Sequence, residues 1–238
     1  MVIKRIMEKV VNLQDAFKKD VVPPSEKTIL SGNIQTVITE QYRLLRSKLS
    51  SLNGNHGNKV IAITSTRKGE GKSITSVNLA IVMAEDTKKK VLLIDGDMRK
   101  PSIHTFFNCK AECGLVDVLS NKADIDSAII PSKIKNLTLL LGGEAVESPA
   151  DLIASSILKD LIERLKKRFD YIIIDSPPII PFADMSILGD VVDGILLVVR
   201  AEITPKETVL EALKGLNKEN VLGVVLNDSR KKLSKIYY

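Results

Sequence analysis

Hydrophobic residues follow two different rhythms along the chain. Ile34, Ile38, Tyr42, Leu45, Leu49 and Leu52 recur at steps of three and four, the stripe of one helix face. From residue 59 the rhythm changes to short unbroken apolar runs: Val60–Thr64, Val91–Ile94, Leu137–Leu141, Ile172–Ile174, Ile195–Val199 and Val221–Leu226. These runs are β-branched or Leu-rich, which suits strands buried on both faces of a parallel sheet. Helical stretches lie between most of them, among them Ile74–Ala84, Pro149–Lys167 and Pro205–Asn217. The alternation predicts a doubly wound α/β fold with a mostly parallel sheet, carrying its ligands at the carboxyl ends of the strands.

The first residues are less regular. Ile3, Ile6, Met7, Val10 and Phe17 at helical spacing predict an amphipathic helix within residues 1–20. It is read as packed on its own domain; the alternative is docking on a membrane surface or a partner. Val21-Val22-Pro23-Pro24-Ser25 then reads as a linker, and Asn53-Gly54-Asn55-His56-Gly57-Asn58 as a turn-rich loop. The chain thus divides into an N-terminal helix and linker over 1–33, a main domain over 34–228 and a basic tail over 229–238.

Composition narrows the class. With 238 residues, 44% hydrophobic and 27% charged, the chain is neither disordered nor collagen-like. An excess of 35 basic over 29 acidic residues gives +6, which suits an anionic partner such as a nucleotide, a membrane surface or nucleic acid. No run approaches the roughly 18 apolar residues of a membrane-spanning helix. Lys4, Arg5, Glu8 and Lys9 interrupt any signal-peptide pattern, so a cytoplasmic protein is expected. Cys109 and Cys113, with His104 upstream, read as reduced thiols, the alternative being a metal site.

Candidate chemistry falls at three predicted strand ends. The first is Thr66-Arg67-Lys68-Gly69-Glu70-Gly71-Lys72-Ser73, followed by Ile74 and a helical pattern. Gly69 and Gly71 let backbone N–H groups turn inward, the helix start supplies positive potential, Lys72 reaches the β- and γ-phosphates, and Ser73 offers its hydroxyl to Mg²⁺. The strict motif has Gly where this chain has Thr66. The second end is Val91-Leu92-Leu93-Ile94-Asp95-Gly96-Asp97-Met98-Arg99. Two carboxylates just beyond a buried strand need a cation near them, and Mg²⁺ is the natural one. The third is Tyr171-Ile172-Ile173-Ile174-Asp175-Ser176-Pro177-Pro178, where Asp175 would orient Mg²⁺-bound water.

In this order, TRKGEGKS (66–73), VLLIDGDMRKP (91–101) and YIIIDSPP (171–178) resemble the Walker A, A′ and B motifs of the bacterial tyrosine kinases of capsule and exopolysaccharide synthesis. EQYRLLRSKL (40–49), GLVDVL (114–119), SPADLI (148–153) and GVVLN (223–227) extend the likeness over roughly residues 38–228. The wider class includes the MinD/ParA partition ATPases, which share the deviant phosphate loop. Those carry a signature lysine five residues before the loop lysine, where this chain has Arg67.

The resemblance implies a P-loop kinase domain that binds ATP through Arg67, Lys68, Gly69, Glu70, Gly71, Lys72, Ser73 and Ile74, with Asn227 near the adenine. Lys72, Asp95, Asp97 and Arg99 are the expected catalytic set, with Ser73, Asp97 and Asp175 on the metal. Asp95 is taken as the acceptor of the tyrosine hydroxyl proton, although spacing alone allows Asp97 to exchange roles with it. Glu40, Arg43 and Arg46 match an element that builds ring oligomers, the alternative being an intrahelical pair. Two of the four tyrosines, Tyr237 and Tyr238, end a tail with Arg230, Lys231, Lys232 and Lys235, as suits autophosphorylation. The expected function is an autophosphorylating protein-tyrosine kinase regulating polysaccharide synthesis and export. It would be recruited to the inner face of the membrane by a separate transmembrane adaptor and would act on protein tyrosines, without nucleic acid. The alternatives are a MinD/ParA-like positioning ATPase and a nucleotide-controlled interaction module.

Overall fold

The computed structural model describes residues 10–14, 36–52 and 60–229. The expected linker at 21–25, the loop at 53–58 and the tail with Tyr237 and Tyr238 lie outside the described residues.

Strands β1 (Val10–Gln14), β2 (Val60–Ser65), β3 (Val91–Asp95), β4 (Ile129–Pro131), β5 (Leu137–Leu140), β6 (Tyr171–Asp175), β7 (Gly194–Arg200) and β8 (Val221–Ser229) form one sheet. Among the described residues it has eight strands, in the order β1-β8-β7-β2-β6-β3-β5-β4. All neighbouring pairs are parallel except β4 with β5. Each of the six apolar runs read from the sequence forms a strand.

Both faces of the sheet are covered. Ile61, Ile63, Leu93, Ile173 and Val198 pack beneath α1 (Thr36–Leu52), α2 (Lys72–Thr87) and α3 (Ile103–Phe107). Val60, Ala62, Leu92, Ile94 and Ile174 pack on the opposite face. There they meet α4 (Leu115–Leu119), α5 (Ile125–Ala128), α6 (Ala150–Ala154), α7 (Ser156–Lys166), α8 (Asp184–Leu188) and α9 (Lys206–Lys214). Successive residues of β2 and β3 thus enter different cores, which is why these strands are apolar throughout instead of alternating. Each such fully buried Leu or Ile contributes roughly 1.5–3 kcal/mol. On α1 the predicted stripe is the buried one: Ile38, Tyr42, Leu45 and Leu49 are all nearly inaccessible.

Two expectations change. Residues 10–14, placed in an N-terminal helix by their spacing, form β1, which pairs in parallel with β8 from Val10 opposite Val224. The backbone groups along that side of β8 need partners, and this demand overrides a weak helical period. The helix expected over Pro149–Lys167 is two helices, because Ser155 is extended at φ −69° and ψ 147°. Its hydroxyl bonds back to the Leu152 carbonyl at 2.7 Å, the competition that makes serine a helix terminator.

Candidate functional site

The order β2-β6-β3 brings the carboxyl ends of three strands together, and each carries one of the motifs. After Ser65 the chain turns through residues 66–71 before α2 begins at Lys72. Gly69 and Gly71 hold φ at +87° and +93°, the left-handed region that other residues enter at a cost. At Gly71 space is also closed, since a Cβ there would stand 2.0 Å from Asn227 Nδ2. The helix behind the loop has Gly71 as N-cap, with no side-chain cap. Its first N–H groups and its dipole therefore face the loop, an arrangement that favours an anion. The segment after β6 fixes the loop from the side: Ile179 N donates to Ser65 O at 2.9 Å and Ile180 N to Thr66 O at 3.0 Å.

Asp95 and Asp175 stand opposite each other in the β3–β6 register. Both are fully buried. Gly96 lets the two strand ends close, its N–H donating to Asp175 O at 2.8 Å. Asp95 Oδ2 accepts from the amides of Ser102 (2.7 Å) and Ile103 (2.8 Å). Asp175 Oδ1 accepts from Ser76 Oγ at 3.1 Å. Lys72 Nζ lies 2.7 Å from Asp97 Oδ2 and 3.6 Å from Asp175 Oδ2. Asp97 Oδ1 accepts from Lys100 N at 3.1 Å. Two acceptor atoms in this cluster, Asp95 Oδ1 and Asp175 Oδ2, are buried without a hydrogen-bond partner.

Burial and the neighbouring Asp175 charge push the Asp95 carboxyl up to about 7, against the pull of its two amide bonds. Burial likewise raises Asp175, while Lys72 opposes the rise. Burial would lower the Lys72 ammonium, but Asp175 and Asp97 more than offset it and hold it above its ordinary value. Lys72 is therefore a fixed positive charge inside an acidic cluster.

The loop opens on a cavity of about 620 Å³ lined by Lys68, Gly69, Gly71, Lys72, Ser73, Ile74, Asp97, Arg99 and Lys100, among others. Phe106, Pro178, Ile180, Pro181 and Phe182 form an apolar wall to it. The predicted residues thus separate into groups. Asp95 and Asp175 stand behind the cavity and Asp97 on its wall. Arg67 is exposed beside the cavity, whereas Glu70 is turned into the protein, its carboxylate accepting from Arg67 N at 3.0 Å. Asn227 donates from Nδ2 to Glu70 O at 3.0 Å, against the back of the loop. Arg99 grips Asp184 through Nε (2.7 Å) and Nη2 (3.0 Å) and lies 4.3 Å over the Phe182 ring. Its charge is engaged by Asp184, so it braces the apolar wall.

Phe106, Phe182 and Ser102 were not among the sequence candidates. Ser102 Oγ lies 3.2 Å from Ser73 Oγ and follows directly on the Arg-Lys-Pro stretch, which was the available signal. The aromatic pair offers no such signal, because loop packing alone brings Phe182 to Arg99.

On α1, Glu40 and Arg43 form the intrahelical pair, and Arg46 donates to Val82 O on α2 at 3.4 Å. Cys109 and Cys113 are free thiols. Among the described residues no group of three or more His, Cys, Asp or Glu is arranged to hold a metal unaided. Mg²⁺ takes few carboxylates and completes its shell with waters and phosphate oxygens, so the orphaned Asp175 Oδ2, with Ser73 beside that carboxylate, fits it.

A family model described as an AAA domain matches residues 58–221. The tyrosine-protein kinase YwqD of Bacillus subtilis (strain 168) is 41% identical over 199 residues, covering 83% of each chain. Among solved structures, the chimerical protein CapA2B2 superposes with a TM-score of 0.85 at 29% identity, over 97% of this chain and 98% of that one. The septum site-determining protein MinD of Pyrococcus horikoshii, complexed with Mg-ADP, superposes with a TM-score of 0.59 at 27% identity, over 74% of this chain and 72% of that one.

Proposed function

This chain belongs to the bacterial tyrosine-protein kinases, and we propose that it transfers the γ-phosphoryl group of ATP to tyrosines of its own kind and of other proteins. The observation that carries this reading is the convergence of Lys72, Asp95, Asp97 and Asp175 behind a glycine-turned loop at three adjacent strand ends. The MinD relative with Mg-ADP supports ATP and Mg²⁺ as the ligands.

Phosphoryl transfer needs positioning and charge neutralisation more than covalent chemistry. Lys72 and the amides of residues 69–73 hold the β- and γ-phosphates. Ser73 and Asp97 would hold Mg²⁺, with Asp175 supporting its shell; when bound, the ion would supply neutralisation of phosphate charge. Asp95, which stands behind the cavity, accepts the phenolic proton through an intervening water. Its Oδ1 is free while both Asp97 oxygens are engaged, and a carboxyl near 7 matches the needs of a general base at neutral pH. The apolar wall of Phe106 and Phe182 suits a phenol ring.

Regulation of capsular or exopolysaccharide synthesis, a transmembrane activator and a ring-like homo-oligomer complete the reading, supported by the resemblance of the motifs. No helix among the described residues is long and apolar enough to cross a membrane. A positioning ATPase draws only on the core shared with MinD.

Incubation of the purified protein with ATP and Mg²⁺, followed by intact mass and phosphotyrosine mapping, tests the function. Phosphate on Tyr237 and Tyr238 is expected; steady ATP hydrolysis with no modified tyrosine overturns it. Mixing a catalytically dead chain with an active Tyr237→Phe/Tyr238→Phe chain is expected to label the tail of the dead one, as transfer between molecules requires.

Assembly has its own test. Arg43→Glu with Arg46→Glu is expected to convert a large species into monomers in light scattering. Loss of the Glu40–Arg43 pair within α1 changes stability by only a few tenths of a kcal/mol. An unchanged mass distribution would leave the intrahelical role alone.

A further inference from the structure

We propose that Thr204, in the turn after β7, is a positioning residue for nucleotide binding that acts through Glu70. The inference rests on the nucleotide-binding reading of the loop and deepens it.

Glu70 is only 4% exposed, and a carboxylate buried to that degree needs donors around it. Three donors converge on it. Thr66 Oγ1 lies 2.6 Å from each carboxylate oxygen, Arg67 N donates to Oε2 at 3.0 Å, and Thr204 Oγ1 donates to Oε1. The first two belong to the loop itself. Thr204 is 134 residues away in sequence and is the donor that ties the loop carboxylate to the rest of the fold.

The other end of the same residue is also held, since its carbonyl accepts from Asn227 Nδ2 at 3.0 Å. The two holding points are joined to each other. Ala201 N donates to Asn227 O at 2.8 Å, and Thr204 N to Arg200 O at 3.0 Å. Glu70 lies between Gly69 and Gly71, the two residues at positive φ. Fixing it at both ends sets the orientation of the peptides on either side, which are the ones that must point their N–H groups at phosphate. Left to itself, a loop with two glycines populates many conformations. Neither Thr204 nor Glu70 lines the cavity, so any effect on nucleotide passes through the loop conformation.

The consequence follows from populations. Where only a fraction of molecules hold the competent loop, apparent affinity falls by that fraction. Loss of the Thr204 hydroxyl leaves a buried carboxylate oxygen short of a donor and favours the alternatives.

The test measures ADP binding with Mg²⁺ by calorimetry and KM for ATP on the full chain. Thr204→Val is expected to raise both Kd and KM roughly three- to tenfold, with kcat at saturating ATP changed less than about twofold. Thr204→Ser, which keeps the hydroxyl, is expected to restore wild-type binding. Glu70→Ala is expected to weaken binding further and to make the Thr204 substitution silent in the double variant. Wild-type Kd in Thr204→Val, with only its melting temperature lowered, overturns the positioning role, as does additivity of the two substitutions. Failure of the unaltered protein to bind ADP overturns the nucleotide reading itself, and the inference with it.

Discussion

Lys72→Met is expected to lose about a hundred- to a thousandfold in tyrosine phosphorylation while keeping its circular dichroism spectrum. The ammonium sits 2.7 Å from Asp97 and 3.6 Å from Asp175, on the cavity proposed to hold the phosphates. It is held charged by those acids, so methionine removes a full positive charge of similar reach. The fold survives because Asp95 and Asp175 are already displaced toward their neutral forms by burial. They take up protons when the lysine goes instead of standing as unpaired buried charges. Phosphotyrosine immunoblotting with labelled ATP measures the loss. Phosphorylation within tenfold of the unaltered chain would remove Lys72 from the phosphate site.

Asp95→Asn is expected to move activity and stability in opposite directions. Activity falls by about a hundred- to ten-thousandfold if Asp95 takes the phenolic proton, with ADP affinity changed little. Stability of the metal-free protein rises at neutral pH and above, for a reason whose sign can be worked through. The carboxyl ionises near 7 in the fold against 3.8 for an unperturbed group, so between those values the folded chain binds more protons than the unfolded one. Unfolding free energy from this group is full below about pH 4 and is lost as pH rises through about 7. Asparagine has nothing to lose over that window. The variant should therefore gain on the order of 1–4 kcal/mol over the parent at pH 8, and little at pH 4. Urea titrations with chelator at both values check it. A variant destabilised at pH 8 would mean that the lost acceptor for the Ser102 and Ile103 amides outweighs the relieved charge. If instead Asp97→Asn abolishes transfer while Asp95→Asn retains it, the two acids exchange roles.

Much of this architecture was legible because it is written in local pattern. Val60, Ile61, Ala62 and Ile63 are apolar in succession because each enters one of two cores, and that signal survives without tertiary information. The paired acids and Asp175 were legible for a related reason, since polar residues directly after such a run sit at a strand end, and the loop lysine was legible from its Gly-Lys-Ser spacing before a helical pattern. β1 was not legible. Its strand character comes from the exposed side of β8, some two hundred residues on, and not from its own spacing. Arg99 and Glu70 show the same limit within the site. Sequence placed both at the nucleotide; the structure adds that Arg99, on the cavity wall, is gripped by Asp184 and that Glu70 is turned toward Thr204, and neither partner was visible from the motifs. Residue type and spacing report which chemistry is near; they do not report which way a side chain is turned.

The two borders of the sheet bear on how copies of this chain can meet. One border is β4, three residues long and ending in Pro131, which lacks a backbone donor. The other is β1, five residues long with an irregularity between Asn12 and Gln14. Among the described residues, each gives a second molecule too little regular backbone to continue the sheet. Head-to-tail strand addition, one border onto the other, has no natural stopping point and would lead to open-ended filaments. With both described borders blunted, the self-association proposed above would fall to side-chain surfaces such as that of α1, where geometry can limit the number of copies and let an assembly come apart again.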